Sequence, residues 1–120
     1  MAHVEKYKTE SGECPIDEFI NELIKDGQRV DVVKIQSYVD LLKELGDDIL
    51  SNSNWAKKLD DKIFELRPKS NRVLYFYHSL DDKYVLLHCF KKKTTKTPKG
   101  EIDRARKEAS DYERRNSNGR

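Results

Sequence analysis

The residues of this sequence that could do chemistry are cations on three consecutive predicted strands between Phe64 and Pro98. Guanidinium and ammonium groups bind phosphate oxygens, and the planar fork of arginine can bind two of them at once. A rigid sheet that presents such groups would suit the backbone of a nucleic acid. The cations are Arg67, Lys69, Arg72, Lys91, Lys92, Lys93 and Lys96.

Other side chains of the same stretch could assist. His88 would carry a proton near pH 7, although a single histidine in a strand is more often structural. Tyr75 and Tyr77 could stack on a base, but aromatic residues in strands usually belong to the core. The adjacent lysines at 91–93 could form a solvated charge run, because alternation along a strand cannot turn all three toward one cleft.

Charge distribution favours a polyanionic partner for the second half of the chain. The net charge is only +2, yet residues 1–60 hold 8 Lys/Arg against 13 Asp/Glu, whereas residues 61–120 hold 16 against 9. Two distant cysteines, Cys14 and Cys89, indicate reduced thiols, and no histidine has the spacing of a zinc site. With no apolar run of roughly 20 residues and no signal peptide, we expect a cytoplasmic protein that does not contact a membrane.

Hydrophobic periodicity predicts a single domain over residues 1–115 with a disordered tail at 116–120. An edge strand (3–9) precedes two amphipathic helices (15–26 and about 30–45), which should form an antiparallel hairpin. The polar segment 51–61 reads as a turn or a loop, with Trp55 packed on the hairpin or, alternatively, stacked on a base. Three antiparallel strands follow at about 62–67, 72–79 and 83–91. Thr97 and Pro98 then resemble the N-cap and first residue of a polar helix that ends near Tyr112.

The predicted fold class is therefore α+β, with the N-terminal strand and helix hairpin packed on a mostly antiparallel sheet. Strict alternation would put Val85, Leu87 and Cys89 on one face of the third strand and Leu86 and His88 on the other. One face of the sheet should pack against the helix hairpin. The other should remain partly apolar and flanked by cations, as a nucleic-acid cleft would be.

Residues 65–102, ELRPKSNRVLYFYHSLDDKYVLLHCFKKKTTKTPKGEI, resemble the signature of the RelE/ParE toxin superfamily, and most closely its HigB-like, phage Gp49-like branch. The similar pattern is a strand that ends in ELR, an R-x-x-Y strand, a V-x-L-L-H-x-F strand and then K-K-x-x-x-K-T-P before a helix. The order of strand, helix hairpin, three strands and helix extends the resemblance to nearly the whole chain.

The resemblance implies the toxin half of a type II toxin–antitoxin pair. Such a toxin would cleave mRNA in the ribosomal A site without a metal or other cofactor, and an antitoxin, often with a helix-turn-helix domain, would neutralise it. Arg72 matches the catalytic arginine of the family and Lys92 another catalytic cation, with Lys91 next. Arg67 could be a second clamp or could pair with Glu65. A tyrosine that some members carry after the cation cluster is missing, so the general base stays unassigned.

Two other functions fit the same fold. A ParE-like protein would inhibit DNA gyrase without nuclease activity, and a non-catalytic RNA-binding module would need only the basic residues. The dense cations and His88 favour the nuclease. Lys69, Lys93 and Lys96, with the two tyrosines, would then contact RNA.

Overall fold

The computed structural model of the protein describes residues 1–117 and is built on a five-stranded sheet. Three α-helices and a 3₁₀ turn (Gly46–Ser51) surround this sheet in the described part of the chain. The α-helices are α1 (Pro15–Lys25), α2 (Arg29–Leu45) and α3 (Lys99–Ser117). The strands are β1 (His3–Lys6), β2 (Ala56–Lys58), β3 (Phe64–Leu66), β4 (Asn71–His78) and β5 (Lys83–Lys91).

The strands are arranged in the order β1-β5-β4-β3-β2, which confirms the predicted α+β class. Short turns join β3, β4 and β5, so these strands pair antiparallel, while β1 runs parallel to β5 at one edge. The sequence did not predict β2, a strand of only three residues that pairs with β3 at the opposite edge. Its residues lie in a polar segment, and alternation of apolar and polar residues over so few positions cannot be distinguished from a loop.

Helices α1 and α2 form the predicted hairpin and cover one face of the sheet. Pro15 begins α1, where the missing N–H costs nothing, and Gly27 follows it with a φ of 74°. The apolar stripe of α2 puts Ile35 and Leu42 into a core shared with Val73 and Leu86 of the sheet. The helix hairpin that the apolar periodicity predicted is thus confirmed.

The second face of the sheet is covered by α3, and the prediction of an open, partly apolar cleft there is wrong. Ala105, Ala109 and Tyr112 are at most 3% exposed and pack on Leu74 and Phe76. A helix with so thin an apolar stripe can cover a face because alanines let its backbone approach closely. The helix also continues to Ser117, so residues 116 and 117 of the predicted tail are helical, and residues 118–120 lie outside the described residues.

A β-bulge changes which residues of β5 share a face. Leu74 pairs with His88 and Tyr75 pairs with Leu86, so Leu87 is an extra residue without a partner in β4. Leu87 and Val85 pack in the α3 layer, whereas Leu86 and Cys89 pack in the hairpin layer. The predicted grouping of Leu87 with Cys89 is therefore wrong, because strict alternation stops at the bulge.

No helix within residues 1–117 is long and apolar enough to cross a bilayer.

Candidate nucleic-acid interface

A small cleft at the end of the sheet brings Arg72 and Lys92 together, as the sequence predicted they would be. Arg72 is the second residue of β4, and the loop 92–98 that follows β5 folds over it. The cleft, called the Arg72 cleft below, is also lined by Phe90, Lys93 and Lys96. Its enclosed volume of about 10 Å³ is that of a single water molecule, so a phosphate group would contact Arg72 from the mouth of the cleft.

The backbone holds the Arg72 guanidinium in place. Residues 68–71 form a turn in which Lys69 has a φ of 56°, and Nη1 of Arg72 donates to the carbonyl oxygens of Lys69 (3.0 Å) and Asn71 (2.8 Å). Only 6% of Arg72 is exposed. Burial, followed by the nearby charge of Arg67, lowers the pKa of Arg72, yet an arginine stays protonated at any physiological pH.

No carboxylate of residues 1–116 lies within ion-pair distance of this guanidinium. Arg72 thus carries a positive charge that is positioned by neutral carbonyl groups. Such a group is suited to binding an anion.

The buried carboxylate of Glu65, on β3, connects the loop 92–98 to the sheet through a hydrogen bond. Glu65 is 2% exposed; it accepts a 2.5 Å hydrogen bond from the Thr97 hydroxyl and lies 3.6 Å from Nε of Arg67. Arg67 also donates from Nη1 to the carbonyl oxygen of Ser53. The predicted Arg67–Glu65 ion pair is therefore present, whereas the predicted N-cap role of Thr97 is not, because its hydroxyl points to Glu65 instead of the helix.

The lysine side chains of the loop 92–98 are not held by any carboxylate of residues 1–116. The backbone N–H of Lys92 donates to the carbonyl oxygen of Ser70 (2.6 Å), which fixes the start of the loop beside the turn before β4. The side chains of Lys92, Lys93 and Lys96 are exposed and make no ion pair with any of residues 1–116. We call Arg67, Arg72, Lys92, Lys93 and Lys96 the cation cluster.

Two cations that sequence reasoning missed extend this cluster along the sheet edge. Lys57 and Lys58 of β2 line a second cleft together with Arg67 and Lys96. The two clefts share residues 95–97, so the basic surface continues from one to the other. The signal was present in the adjacent lysines after Trp55, but only pairing of β2 with β3 brings them next to Arg67.

Lys69 and Lys91, two of the predicted site lysines, lie apart from the cluster. Their ammonium groups contact Asp31 of α2 at 3.3 and 3.2 Å, and Asp31 also accepts a hydrogen bond from Asn71. The Asn71 bond and then the lysines hold the pKa of Asp31 below its usual range. These two lysines share one carboxylate from the acidic first half of the chain, so Asp31 offsets one of their two positive charges.

His88 is buried in an ionic network instead of lining the cleft. It is 1% exposed, with Nδ1 2.6 Å from Glu108 and Nε2 2.9 Å from Glu101, both on α3. Both ring nitrogens are thus occupied, which leaves none for a substrate. The predicted proton-carrying role does not agree with this placement, and the bulge at Leu87 is what turns His88 toward α3.

The aromatic residues that were predicted to stack on a base also lie outside the Arg72 cleft. Tyr75 is 2% exposed and stacks on Phe64, while burial raises the pKa of its hydroxyl well above the usual range. Tyr77 is 40% exposed, but it lies five residues from Arg72 along β4, roughly 16 Å away at the rise of a strand. Trp55 packs against the hairpin core, as one of its two predicted roles required.

No group of three or more His, Cys, Asp or Glu side chains within residues 1–117 is arranged to hold a metal ion.

Comparison with known families agrees with this geometry. The family model described as phage-derived protein Gp49-like matches residues 18–110, a range that contains the whole cation cluster. The chain belongs to the Gp49-like family. This family is part of the RelE/HigB-like toxins, so the Gp49-like protein is a toxin of a toxin–antitoxin system and has an antitoxin as a partner. No individual curated protein matches the sequence.

Proposed function

We propose that this Gp49-like toxin is an endoribonuclease that cleaves mRNA on the ribosome and so inhibits translation in the cytoplasm. The observation that carries the proposal is the Arg72 guanidinium, which backbone carbonyls position in a small cleft beside exposed lysines. A toxin that acted only by covering another protein would not need a positioned arginine without an ion-pair partner. The single-domain organisation over residues 1–115 is part of the same proposal.

The reaction is an internal transesterification. The 2′-oxygen attacks the adjacent phosphorus and the bond from phosphorus to the 5′-oxygen breaks, which leaves a 2′,3′-cyclic phosphate and a free 5′-hydroxyl. One proton leaves the 2′-hydroxyl and one reaches the 5′-oxygen, so the reaction needs neither an oxidant nor a metal-bound water. A base, an acid and a charge that stabilises the pentacoordinate phosphate are sufficient.

The residues divide these tasks by their chemistry. Arg72 would bind the non-bridging oxygens, since its fork is positioned and its charge is permanent. Lys92 would transfer a proton at one of the two oxygens, because a lysine can exchange protons whereas an arginine cannot. Lys93 and Lys96 would hold the flanking phosphates, with Arg67 as a second clamp at the edge of the cleft.

The test is induction of each variant in growing bacteria, followed by primer extension on a reporter mRNA and by pulse labelling of protein. The wild type should stop protein synthesis and produce cut mRNA. Arg72→Lys and Lys92→Ala should each lower the cleavage rate by roughly 10²- to 10³-fold, the typical effect of a lost electrostatic donor. Lys34→Ala removes the same charge from an exposed position on α2 and should change nothing.

Two results would overturn the proposal. Intact mRNA with blocked replication would indicate a ParE-like gyrase inhibitor. Absence of toxicity in the wild type would leave only a binding module. Cleavage that persists in the Arg72→Lys, Lys92→Ala double variant would refute the site assignment.

A further inference from the structure

A groove next to the Arg72 cleft has the features of a site for a single nucleobase. It runs along β5 between α1 and the start of α3 and has a volume of about 360 Å³. The partly exposed rings of Phe19 and Phe90 line it, together with the charged residues Lys91, Lys93 and Glu101. We call it the Phe19–Phe90 groove.

The groove exists because β1 is shorter than β5. The last paired residue of β1, Lys6, lies opposite Leu86, so residues 88–91 of β5 have no strand beside them on that side. Neither of the two core clusters closes this space. Phe19 packs at the margin of the hairpin core and Phe90 at the margin of the α3 core, so each ring keeps an exposed part.

The groove is continuous with the Arg72 cleft. Phe90, Lys93 and Pro98 line both. Phe90 is also the pairing partner of Arg72 across β4 and β5, and side chains of directly opposed residues lie about 4.5–5.5 Å apart at Cβ. A phosphate held by Arg72 would therefore place one adjoining nucleotide next to the Phe90 ring.

We propose that the Phe19–Phe90 groove binds the base of one of the two nucleotides joined by the scissile phosphate, with the Phe90 ring as the stacking surface. The inference rests on the proposed ribonuclease function and adds the residues that select the cleavage position. Single-stranded RNA is bound in this way elsewhere, through cations that follow the backbone and aromatic rings that stack on unpaired bases. The ammonium group of Lys93, which makes no ion pair with any of residues 1–116, favours RNA over an apolar segment of a protein partner, which would need no cation there.

The experiment uses the full chain on ribosomes programmed with an mRNA whose cleavage position has been mapped with the wild type. Single-turnover cleavage is measured for Phe90→Leu, which keeps an apolar side chain, and for Phe90→Trp, which keeps a ring. Phe64→Leu is the matched control, because Phe64 is a partly buried aromatic residue outside the groove. Each protein is tested on the normal mRNA and on two mRNAs that lack the base on one or the other side of the scissile phosphate.

The expected result is a loss of roughly 5- to 100-fold in the second-order cleavage rate for Phe90→Leu on normal mRNA, the usual effect of losing one base–aromatic stack. Phe90→Trp, which keeps a ring, should lose less than Phe90→Leu, and Phe64→Leu should cleave like the wild type. On the mRNA that lacks the stacked base, the wild type should fall to the level of Phe90→Leu, and the variant should lose nothing more.

An equal loss for Phe90→Leu on all three mRNAs would mean that the ring only supports the fold, and the inference would be overturned. So would unchanged cleavage combined with weaker antitoxin binding, which would assign the groove to the protein partner. In both cases the wild type still cuts mRNA and the proposed function stands. A wild type that cuts no mRNA refutes both proposals.

Discussion

Replacement of Thr97 by valine tests whether one hydrogen bond holds the lysine loop on the sheet. Valine has nearly the same shape, so the substitution removes little except the hydroxyl that donates to the buried Glu65 carboxylate at 2.5 Å. A hydrogen bond to a charged group contributes about 1.5–3 kcal/mol, and its loss leaves Glu65 with only the 3.6 Å contact to Arg67. We expect the free energy of unfolding to fall by about 2 kcal/mol, which lowers Tm by roughly 6 to 10 °C in a chain of this length.

Cleavage should fall as well, because Thr97 lies at the end of the loop that carries Lys92 over Arg72. A displacement of about 1 Å in a catalytic group can reduce the rate by about 10²-fold. We therefore expect a 10- to 100-fold slower cleavage at a temperature where the variant remains folded. Thermal unfolding followed by circular dichroism and the ribosome cleavage assay measure the two effects separately.

Two variants serve as controls. Thr97→Ser keeps the hydroxyl and should restore most of both properties, while Thr95→Val alters an exposed threonine of the same loop and should resemble the wild type. The reasoning is refuted if Thr97→Val melts within about 1 °C of the wild type, or if Thr95→Val is equally harmful.

Three further predictions concern the buried groups. His88→Ala should lower the free energy of unfolding by about 3 kcal/mol in denaturant titration, since it removes a buried ring together with a hydrogen-bond partner of Glu101 and one of the two partners of Glu108, yet cleavage by the folded variant should stay within a few-fold of the wild type. The Asn71 hydrogen bond lowers the pKa of Asp31 in the folded state, so this carboxylate stabilises the fold above about pH 4 and ceases to do so as pH falls through its folded pKa; Asp31→Asn should make urea midpoints less dependent on pH between 7 and 3. Burial raises the pKa of the Cys89 thiol to about 12, so a disulfide reagent at pH 8 should label Cys89 only after unfolding.

Each of these predictions has an outcome that contradicts it. A stable His88→Ala protein that cannot cleave mRNA would show that His88 takes part in the reaction. Identical pH profiles for Asp31→Asn and the wild type would mean that the Asp31 network contributes no pH-dependent stability. Rapid labelling of Cys89 in the native protein would show that β5 opens at its unpaired edge.

The amphipathic elements of the fold were predictable from the sequence because their apolar residues repeat over several turns. The stripes of α1 and α2 predicted the helix hairpin, and the alternation in β3, β4 and β5 predicted three of the strands. The face covered by α3 was not predictable in the same way. Ala105 and Ala109 contribute little hydrophobicity, and only the close approach of the helix to Leu74 and Phe76 makes them part of a core.

For the candidate site, the sequence predicted the residue types and the proximity of Arg72 and Lys92, but not the partners of each charge. Asp31 lies far from Lys69 and Lys91 in sequence, so no local pattern reveals that it pairs with them. The roles of Lys57 and Lys58 depended on a three-residue strand that alternation could not resolve. His88 was assigned to the wrong environment because an extra residue at Leu87 leaves no trace in the pattern of apolar residues.

That one extra residue also decides which lysine of the run 91–93 lies beside Arg72. Beyond Leu87 every side chain of β5 is shifted to the opposite side, which sends Lys91 to Asp31 and Lys92 to Arg72. Without it, Lys91 would take the place of Lys92 opposite Ser70, and Phe90 would take the place of Lys91. The identity of the lysine beside Arg72 is thus set by a single inserted residue four positions before the first lysine of the run.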